Sequence, residues 1–339
     1  MPFLRYDVTT GDWVIFAPER ARRPHDFRRA PAPAETTSER AAPCPFCPGN
    51  EWMTGPEIVA LRSSGGPNSS GWRIRVVPNK FPALRVEEEN RHVEEGRLFR
   101  RLGGCGAHEV IIESPQHDTF LGHQSVEHIE QLLRVLQLRH NDLLRDLRIQ
   151  QIVLFKNHGE RAGTSLRHPH WQLIATPVVP RLLRLKHQIA TDYFDQTGHC
   201  LYCDLAHEEL EAGVRVLASN DRFVAFVPYA AHVPFETWIL PRYHQSSFGQ
   251  AQPTELRDLA QLLRIVLLKM YNALDNPHFN LTINTVPRGD ENKPYFLWHI
   301  QIIPRLTTPA GFELGSGMSI NLMLPEEAAS YLRDVEVSS

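Results

Sequence analysis

Long apolar segments are missing from this chain of 339 residues. No stretch approaches the ~20 consecutive apolar residues that a membrane-spanning helix needs. Residues 1–7 also lack the basic and then apolar pattern of a secretory signal sequence. We therefore expect a cytoplasmic protein with no membrane partner.

A strong excess of charge of either sign is missing as well. Lys and Arg number 36 and Asp and Glu number 39, which leaves a formal net charge of −3. A chain this balanced does not carry the basic footprint of a protein that binds nucleic acid in bulk. A hydrophobic content of 42% is typical of a globular protein, and the length predicts one large or two medium domains.

Cysteine is scarce, but four of the five cysteines form two Cys-x-x-Cys pairs. The pairs are Cys44/Cys47 and Cys200/Cys203. In a reducing compartment this spacing favours metal ligands over disulfides. Cys105 stands alone among glycines, and we expect it to be an ordinary thiol.

The most informative segment is residues 168–172, His-Pro-His-Trp-Gln. In an extended segment alternate residues point the same way, so His168, His170 and Gln172 share one face. The apolar residues that follow predict a strand through a core. One imidazole can act as a nucleophile, the other as a metal ligand, and the amide can hold a phosphoryl oxygen. The alternative is a half-exposed polar strand without chemistry.

The chain repeats one plan twice, which indicates an internal duplication. Each half has a cysteine pair, a strand that ends at a histidine, a long helix with an apolar stripe, and two further strands. These patterns predict an α+β fold with helices packed on a sheet. We place the halves at residues 1–185 and 186–339. The repeated elements are the strands that end at His117 and His244, the helices within 125–148 and 254–275, the strands 152–157 and 279–284, and the strands at 168–172 and 298–304.

Each half also supplies two cysteines and two histidines, the S2N2 ligand set that tetrahedral structural zinc prefers. The close cysteine pair would chelate from one loop, and the distant histidines would tie that loop to the sheet. His199 and His232 are rival ligands for the second site. The sequence thus predicts two zinc sites, the first from Cys44, Cys47, His117 and His168 and the second from Cys200, Cys203, His244 and His299.

The two halves diverge at one position that matters for chemistry. Aligning His168 with His299 places His170 opposite Gln301. A structural residue would more naturally survive in both copies, whereas a catalytic residue need survive in only one. This asymmetry nominates His170 as the reacting group.

A histidine nucleophile must be neutral, with one ring nitrogen free. The other nitrogen would then donate a hydrogen bond, for example to a backbone carbonyl. Phosphorus is a suitable electrophile, and Gln172 could donate to a non-bridging phosphate oxygen. The polar loop at 157–165 follows a strand and contains glycines, as phosphate-cradling turns do.

These residues resemble the galactose-1-phosphate uridylyltransferase family of the histidine triad superfamily. The resemblance runs nearly end to end and is specific to this family and its close relatives. The matching segments are residues 5–7, 12–14, 20–24, 44–51, 77–83, 168–172, 234–237 and 311–317.

The resemblance implies duplicated histidine-triad-like half-units with an antiparallel sheet, two zinc ions and a homodimer. It also implies a ping-pong reaction in which His170 takes UMP from UDP-glucose and galactose 1-phosphate accepts it. Gln172 would assist at the α-phosphate, and nucleotide sugar and sugar 1-phosphate would be the substrates. By the same resemblance, the nucleotide contacts are Arg20, Arg23, Asn79, Asn157, Gly163, Ser165 and Gln172, and the sugar phosphate lies near Gly311, Phe312, Glu313, Gly315, Gly317 and Asn321.

Two departures from the family pattern leave alternatives open. Trp171 stands where the best-known members have glycine, so its ring either lines the site or faces the core. Residues 192–203 resemble a branch that includes plant ADP-glucose phosphorylase, which uses an adenylyl group and inorganic phosphate. Two further hypotheses are a hydrolase of nucleotide conjugates and a zinc-stabilised protein that binds nucleotide sugars without reacting.

Overall fold

The computed structural model describes residues 1–20, 27 and 43–337. Fifteen strands are found in them. The strands are β1 Phe3–Tyr6, β2 Trp13–Phe16, β3 Val59–Arg62, β4 Trp72–Pro78, β5 His92–Glu95, β6 Phe99–Leu102, β7 Ala107–Ile112, β8 Gln151–His158, β9 His170–Thr176, β10 Val216–Ser219, β11 Phe223–Phe226, β12 Thr237–Pro241, β13 Phe279–Asn284, β14 His299–Pro304 and β15 Ile320–Asn321.

Ten of these strands form one sheet that runs through both halves of the chain. Their order is β10–β11–β12–β14–β13–β8–β9–β7–β4–β3, and every neighbouring pair is antiparallel. The halves join where β8 pairs with β13. A register shift interrupts the pairing of each outer strand, at Leu61/Arg62 in β3 and at Val216/Ala218 in β10. The predicted α+β fold with an antiparallel sheet is confirmed.

Six α-helices accompany the strands, and the two long helices that periodicity predicts are among them. Ser125 caps the first of these by accepting from the His128 N–H, and a capping box between Gln252 and Glu255 opens the other. The helices are α1 Val126–Leu143, α2 Arg181–Thr197, α3 Leu201–Ala212, α4 Pro253–Leu274, α5 Gly311–Ser316 and α6 Pro325–Arg333.

The two faces of the sheet are covered differently, and this positions the site. Helices α1 and α4 pack against each other and against one face, where Leu154, Trp171 and Leu173 are buried in the main core. Helices α2 and α3 cover the opposite face of the second half, through a separate core that includes Tyr202 and Trp238. In the first half that opposite face carries His170 and Gln172, since side chains alternate along β9.

Several boundaries differ from the sequence expectations. The first long helix ends at Leu143, so the predicted apolar stripe stops short of Leu147, which is exposed. Helix α2 spans the predicted division after residue 185, and the division into two domains stays a prediction. Among the described residues, no helix combines the length and the apolarity that crossing a bilayer requires.

Candidate active site

His170 begins β9 with its ring fixed by the backbone two residues earlier. Its Nδ1–H donates to the carbonyl oxygen of His168 at 2.8 Å, so Nε2 keeps a free lone pair. Burial of the ring, together with the positive charge of Lys156, lowers the pKa of His170 to about 4, although the His168 carbonyl opposes that shift. The imidazole is therefore neutral near pH 7, the state that a nucleophile requires.

His168 lies just before β9, and its ring lies between the Ser114 carbonyl and the cysteine pair. Its Nε2–H donates to the carbonyl oxygen of Ser114 at 2.8 Å, which leaves Nδ1 as an acceptor. Nδ1 lies 3.8 Å from the Cys44 Sγ and 3.6 Å from the Cys47 Sγ. The Nδ1 lone pair of His168 therefore faces the two cysteines, and the backbone carbonyl of His168 orients the His170 ring.

Cys44, Cys47, His117 and His168 form a four-ligand group, as the spacing predicts. Their ligand atoms all lie within 4.8 Å of one another, and the His117 Nδ1 is 3.1 Å from the Cys47 Sγ. Ligand atoms around tetrahedral zinc are about 3.3–3.8 Å apart, so this donor set suits zinc. The bond from the His168 Nε2 to a backbone carbonyl is the usual support for a metal-binding imidazole.

Phe46, between the two cysteines in the sequence, links the cysteine loop to His170. Its ring meets the His170 ring edge-on at 5.2 Å and the His168 ring at 6.0 Å. Phe46 is buried in a small cluster that includes Ile112, the strand partner of His170. The loop that holds the cysteine pair therefore also packs against the side chain of His170.

Gln172 lies on the same face as His170 and is joined to a neighbouring strand. Its Oε1 is 2.8 Å from the Nε2 of His108, a residue of β7. The Nδ2 of Asn79 lies 3.1 Å from the same ring nitrogen. A cleft of about 580 Å³ beside this network is lined by Asn79 and His108. Two residues predicted from the family resemblance, Asn79 and Gln172, are thus brought together through a histidine that the sequence analysis did not select.

A second cleft, of about 530 Å³, lies at the ends of β8 and β13. Asn157 and Ser165 line it, and the Asn157 Oδ1 accepts from the Asn280 amide at 2.8 Å. Gly163 has φ +85°, and a Cβ there would come within 3.9 Å of the Asn157 Nδ2. Lys156 and Arg167 also line this cleft together with Asp118 and Glu160, so the cleft is polar and carries charges of both signs.

The second metal group contains Cys200, Cys203 and His244, whose ligand atoms lie within 4.8 Å of one another. The structure does not bring His299, the fourth predicted ligand, into this group. The His299 ring is stacked between Tyr202 and Trp238 at 4.9 and 5.0 Å, and its Nδ1–H donates to the Leu297 carbonyl. This aromatic packing holds the ring apart from the cysteines.

The rival ligands His199 and His232 do not join the second group either. The His199 Nδ1 lies 3.4 Å from the Asp204 carboxylate, and the His232 Nε2 lies 3.1 Å from the Asp7 carboxylate. Histidines that form ion pairs elsewhere are not free to coordinate with the same nitrogen. The structure therefore gathers three of the four predicted ligands at this site.

The segment predicted to lie near the sugar phosphate lies outside both clefts. Helix α5 is an exposed turn whose residues contribute to neither of the two clefts. Asn321 is buried in β15, where its amide donates to the Ala231 carbonyl and accepts from the Met323 N–H. Both of its polar atoms are thereby occupied. The residues concerned are Gly311, Phe312, Glu313, Gly315, Gly317 and Asn321.

The two arginines predicted to contact the nucleotide cannot be placed in the site. Arg23 lies outside the described residues. Arg20 ends a short 3-10 turn, and only its backbone is described. Their assignment stays a prediction.

The Trp171 ring faces the core and does not line the site, the two alternatives that its size left open. The side chain is fully buried, and it alternates with His170 and Gln172 along the strand. The ring therefore supports the sheet from behind and does not line the reacting face.

A buried ion pair that was not predicted from the sequence lies behind β9. The Lys156 ammonium lies 2.9 Å from the Glu113 carboxylate, and both side chains are almost completely buried. The signal was available, because a single lysine at the end of an apolar strand is unusual. His108 was harder to identify from the sequence, because β7 contains both polar and apolar residues and a histidine there does not stand out.

Comparison with known families matches both halves of the chain. Residues 1–180 match the family described as "Galactose-1-phosphate uridyl transferase, N-terminal domain", and residues 186–335 match the corresponding C-terminal domain. The two matches together include the cysteine pairs, His170 and the clefts.

Individual relatives extend over nearly the whole chain. An ADP-glucose phosphorylase from Arabidopsis thaliana is 36% identical over 99% of this chain and 94% of its own length. A galactose-1-phosphate uridylyltransferase from Thermotoga maritima is 27% identical over 98% of each chain. The crystal structure of an Arabidopsis thaliana ADP-glucose phosphorylase with bound ADP-glucose has a TM-score of 0.83, with 33% identity and complete coverage of both chains.

Proposed function

Because this chain belongs to the galactose-1-phosphate uridylyltransferase family of nucleotidyltransferases, we propose that it transfers a nucleotidyl group through a covalent bond to His170. The donor is a nucleotide sugar, and the acceptor carries a phosphate. The observation that carries this proposal is the free Nε2 of a neutral, buried imidazole beside a polar cleft.

In the first half-reaction, the lone pair of the His170 Nε2 attacks the α-phosphorus. The bond from that phosphorus to the bridging oxygen breaks, and the sugar 1-phosphate leaves with the electron pair. The ring gains positive charge as the P–N bond forms. The His168 carbonyl, which already accepts the Nδ1–H, stabilises that charge.

In the second half-reaction, a phosphate oxygen of the acceptor attacks the same phosphorus. The P–N bond breaks, and its electron pair returns to the ring as a neutral imidazole. The amide of Gln172 and the polar groups of Asn157 and Ser165 are the donors proposed for the non-bridging oxygens. Because both steps use one phosphorus and one nitrogen, the kinetics should be ping-pong.

For the nucleotide, we propose an adenylyl group with inorganic phosphate as acceptor, which would yield ADP and glucose 1-phosphate. This choice is supported by the likeness to an ADP-glucose phosphorylase, at 36% identity against 27% for a uridylyltransferase. The second candidate is UMP exchange between UDP-glucose and galactose 1-phosphate. It is favoured by the family descriptions that match both halves.

Zinc is the metal proposed for the two cysteine-containing groups. The four-ligand group fits it best, because two thiolates and two imidazoles at these separations form a closed tetrahedral set. The ion would hold the cysteine loop against β9 and would take no part in bond breaking. A homodimer, which the family resemblance implies, stays a prediction.

The experiment is to incubate the protein with ADP-glucose or UDP-glucose, each labelled at the α-phosphate, without an acceptor. We expect an acid-labile, base-stable label on His170 with the donor that the enzyme uses, and none in His170→Ala. Addition of inorganic phosphate or galactose 1-phosphate should then discharge it into ADP or UDP-galactose. Tight binding without label would support a binding protein, and release of free nucleotide without acceptor would support a hydrolase.

A further inference from the structure

We propose that His108 is a positioning residue that fixes the Gln172 amide with its NH2 group turned toward the phosphoryl group on His170. This inference rests on the proposed function, since it assigns Gln172 as a donor to the reacting phosphate. Its structural basis is the hydrogen bond between the His108 Nε2 and the Gln172 Oε1, at 2.8 Å.

The tautomer of His108 follows from a backbone donor. The N–H of Ala83 points at the His108 Nδ1 at 3.2 Å. A backbone N–H can only donate, so Nδ1 must be the accepting nitrogen. In the neutral ring the proton then resides on Nε2, which donates to the Gln172 oxygen.

Asn79 does not compete for that proton. Its Oδ1 accepts from the Phe81 N–H at 2.9 Å, which fixes the orientation of its own amide. The group that Asn79 presents to the His108 Nε2 is therefore its NH2, which is a donor as well. Of these two neighbours of the ring nitrogen, the Gln172 oxygen is the one that can accept.

The orientation of Gln172 has a direct chemical consequence. An amide oxygen and an amide NH2 have nearly the same shape, so an unrestrained glutamine can present either one. With its oxygen held by His108, Gln172 keeps two N–H donors for the face that it shares with His170. Presented the other way, its oxygen would meet the anionic phosphate oxygens and repel them.

The fold builds this contact from two neighbouring strands and one loop. Gln172 pairs with Val110 and His108 pairs with Ile174, so the two side chains are diagonal neighbours on one face of β7 and β9. The loop after β4 supplies the Ala83 N–H that sets the tautomer. The contact between His108 and Gln172 therefore depends on β7, β9 and the loop after β4.

The test is a double-mutant cycle on the rate of covalent labelling in a single turnover. His108→Leu removes the N–H that donates to Gln172. We expect the labelling rate to fall about tenfold or more, while the nucleotide-sugar concentration that gives half the maximal rate changes little. His108→Gln places an N–H near the original Nε2 and should recover most of the rate. His108→Leu should add no further loss in the Gln172→Ala background, because its effect operates through that amide.

His207→Leu is the matched control, since His207 is exposed on α3 and lies outside the site. Equal losses from His108→Leu with and without Gln172 would overturn the inference, as would an unchanged labelling rate in His108→Leu. A second readout does not depend on activity: nitrogen NMR of the wild-type ring should show Nε2 protonated, and a proton on Nδ1 would contradict the inference. Wild-type protein that takes no label would instead sink the proposed function, while the NMR result would still decide the His108 contact.

Discussion

His170 and His168 are two residues apart, yet their rings contact different groups and we expect them to have different tasks. His170 keeps Nε2 free, and its loss removes the atom that would bond to phosphorus. We expect His170→Ala to lower transfer by several orders of magnitude while the fold and the metal content stay unchanged. Steady-state transfer rates, circular dichroism and metal analysis check this together. Retained transfer at a comparable rate would remove His170 from the reaction.

His168→Ala should have a different effect. It removes one nitrogen from the four-ligand group, so we expect a loss of bound metal and a lower free energy of unfolding. Because the His168 carbonyl would remain, transfer measured at saturating zinc should fall much less than in His170→Ala. Metal stoichiometry by mass spectrometry provides the measurement, and full metal retention in this variant would count against the ligand assignment.

At this scale the sequence predicted what local spacing determines. Alternation along a strand placed His170 and Gln172 on one face, and the Cys-x-x-Cys spacing placed Cys44 beside Cys47. His299 could not be predicted, because its position depends on stacking between Tyr202 and Trp238, which are distant in sequence. The contact between His108 and Gln172 depends on strand register, which a single sequence does not reveal.

A buried ion pair joins the end of β7 to β8. Its members are Glu113, which directly follows β7, and Lys156, which belongs to β8. Lys156→Met would leave the Glu113 carboxylate unpaired in an apolar setting. We expect this variant to lose about 3–5 kcal/mol of unfolding free energy. The double variant Lys156→Met/Glu113→Gln should regain a large part of the loss, because no isolated charge remains. Urea unfolding measures both, and a double variant no more stable than the single one would refute the pairing argument.

The elements that periodicity predicted were those with one clear apolar face. Helices α1 and α4 pack in the main core, and their stripes are regular. Helices α2 and α3 were not predicted, since α2 carries exposed leucines among its charged residues and buries only part of one face. Coverage of the second half by these helices is a tertiary feature, which local periodicity does not reveal.

Asp7 and His232 join the start of the chain to the second half, with the His232 Nε2–H donating to the Asp7 carboxylate at 3.1 Å. Burial opposes both charges, but the contact with His232 lowers the pKa of Asp7 to about 2, and the Asp7 and Glu236 carboxylates raise the pKa of His232. The Asp7 contribution to stability is complete above its unfolded pKa and is lost as pH falls toward 2. The His232 contribution is complete below about pH 6.5 and is lost as pH rises through its folded pKa.

Asp7→Asn should therefore destabilise the protein most in mildly acidic solution. We expect a loss of roughly 1–3 kcal/mol at pH 5 and a smaller loss at pH 9, because the contribution of charged His232 declines as pH rises through its raised pKa. Unfolding in urea at the two pH values gives the comparison. A loss of equal size at both would show that the pair is not coupled to the charge of His232.

The two outer strands of the ten-stranded sheet share a feature that bears on the behaviour of the protein in concentrated solution. An outer strand exposes unpaired N–H and C=O groups, on which a strand from another molecule can add. The register shift of β10 leaves Leu217 as the extra residue in that outer strand, whereas the shift beside β3 leaves the extra residue, Arg73, in its neighbour β4. We expect both distortions to bend the ends of the sheet, which discourages strand addition from neighbouring molecules.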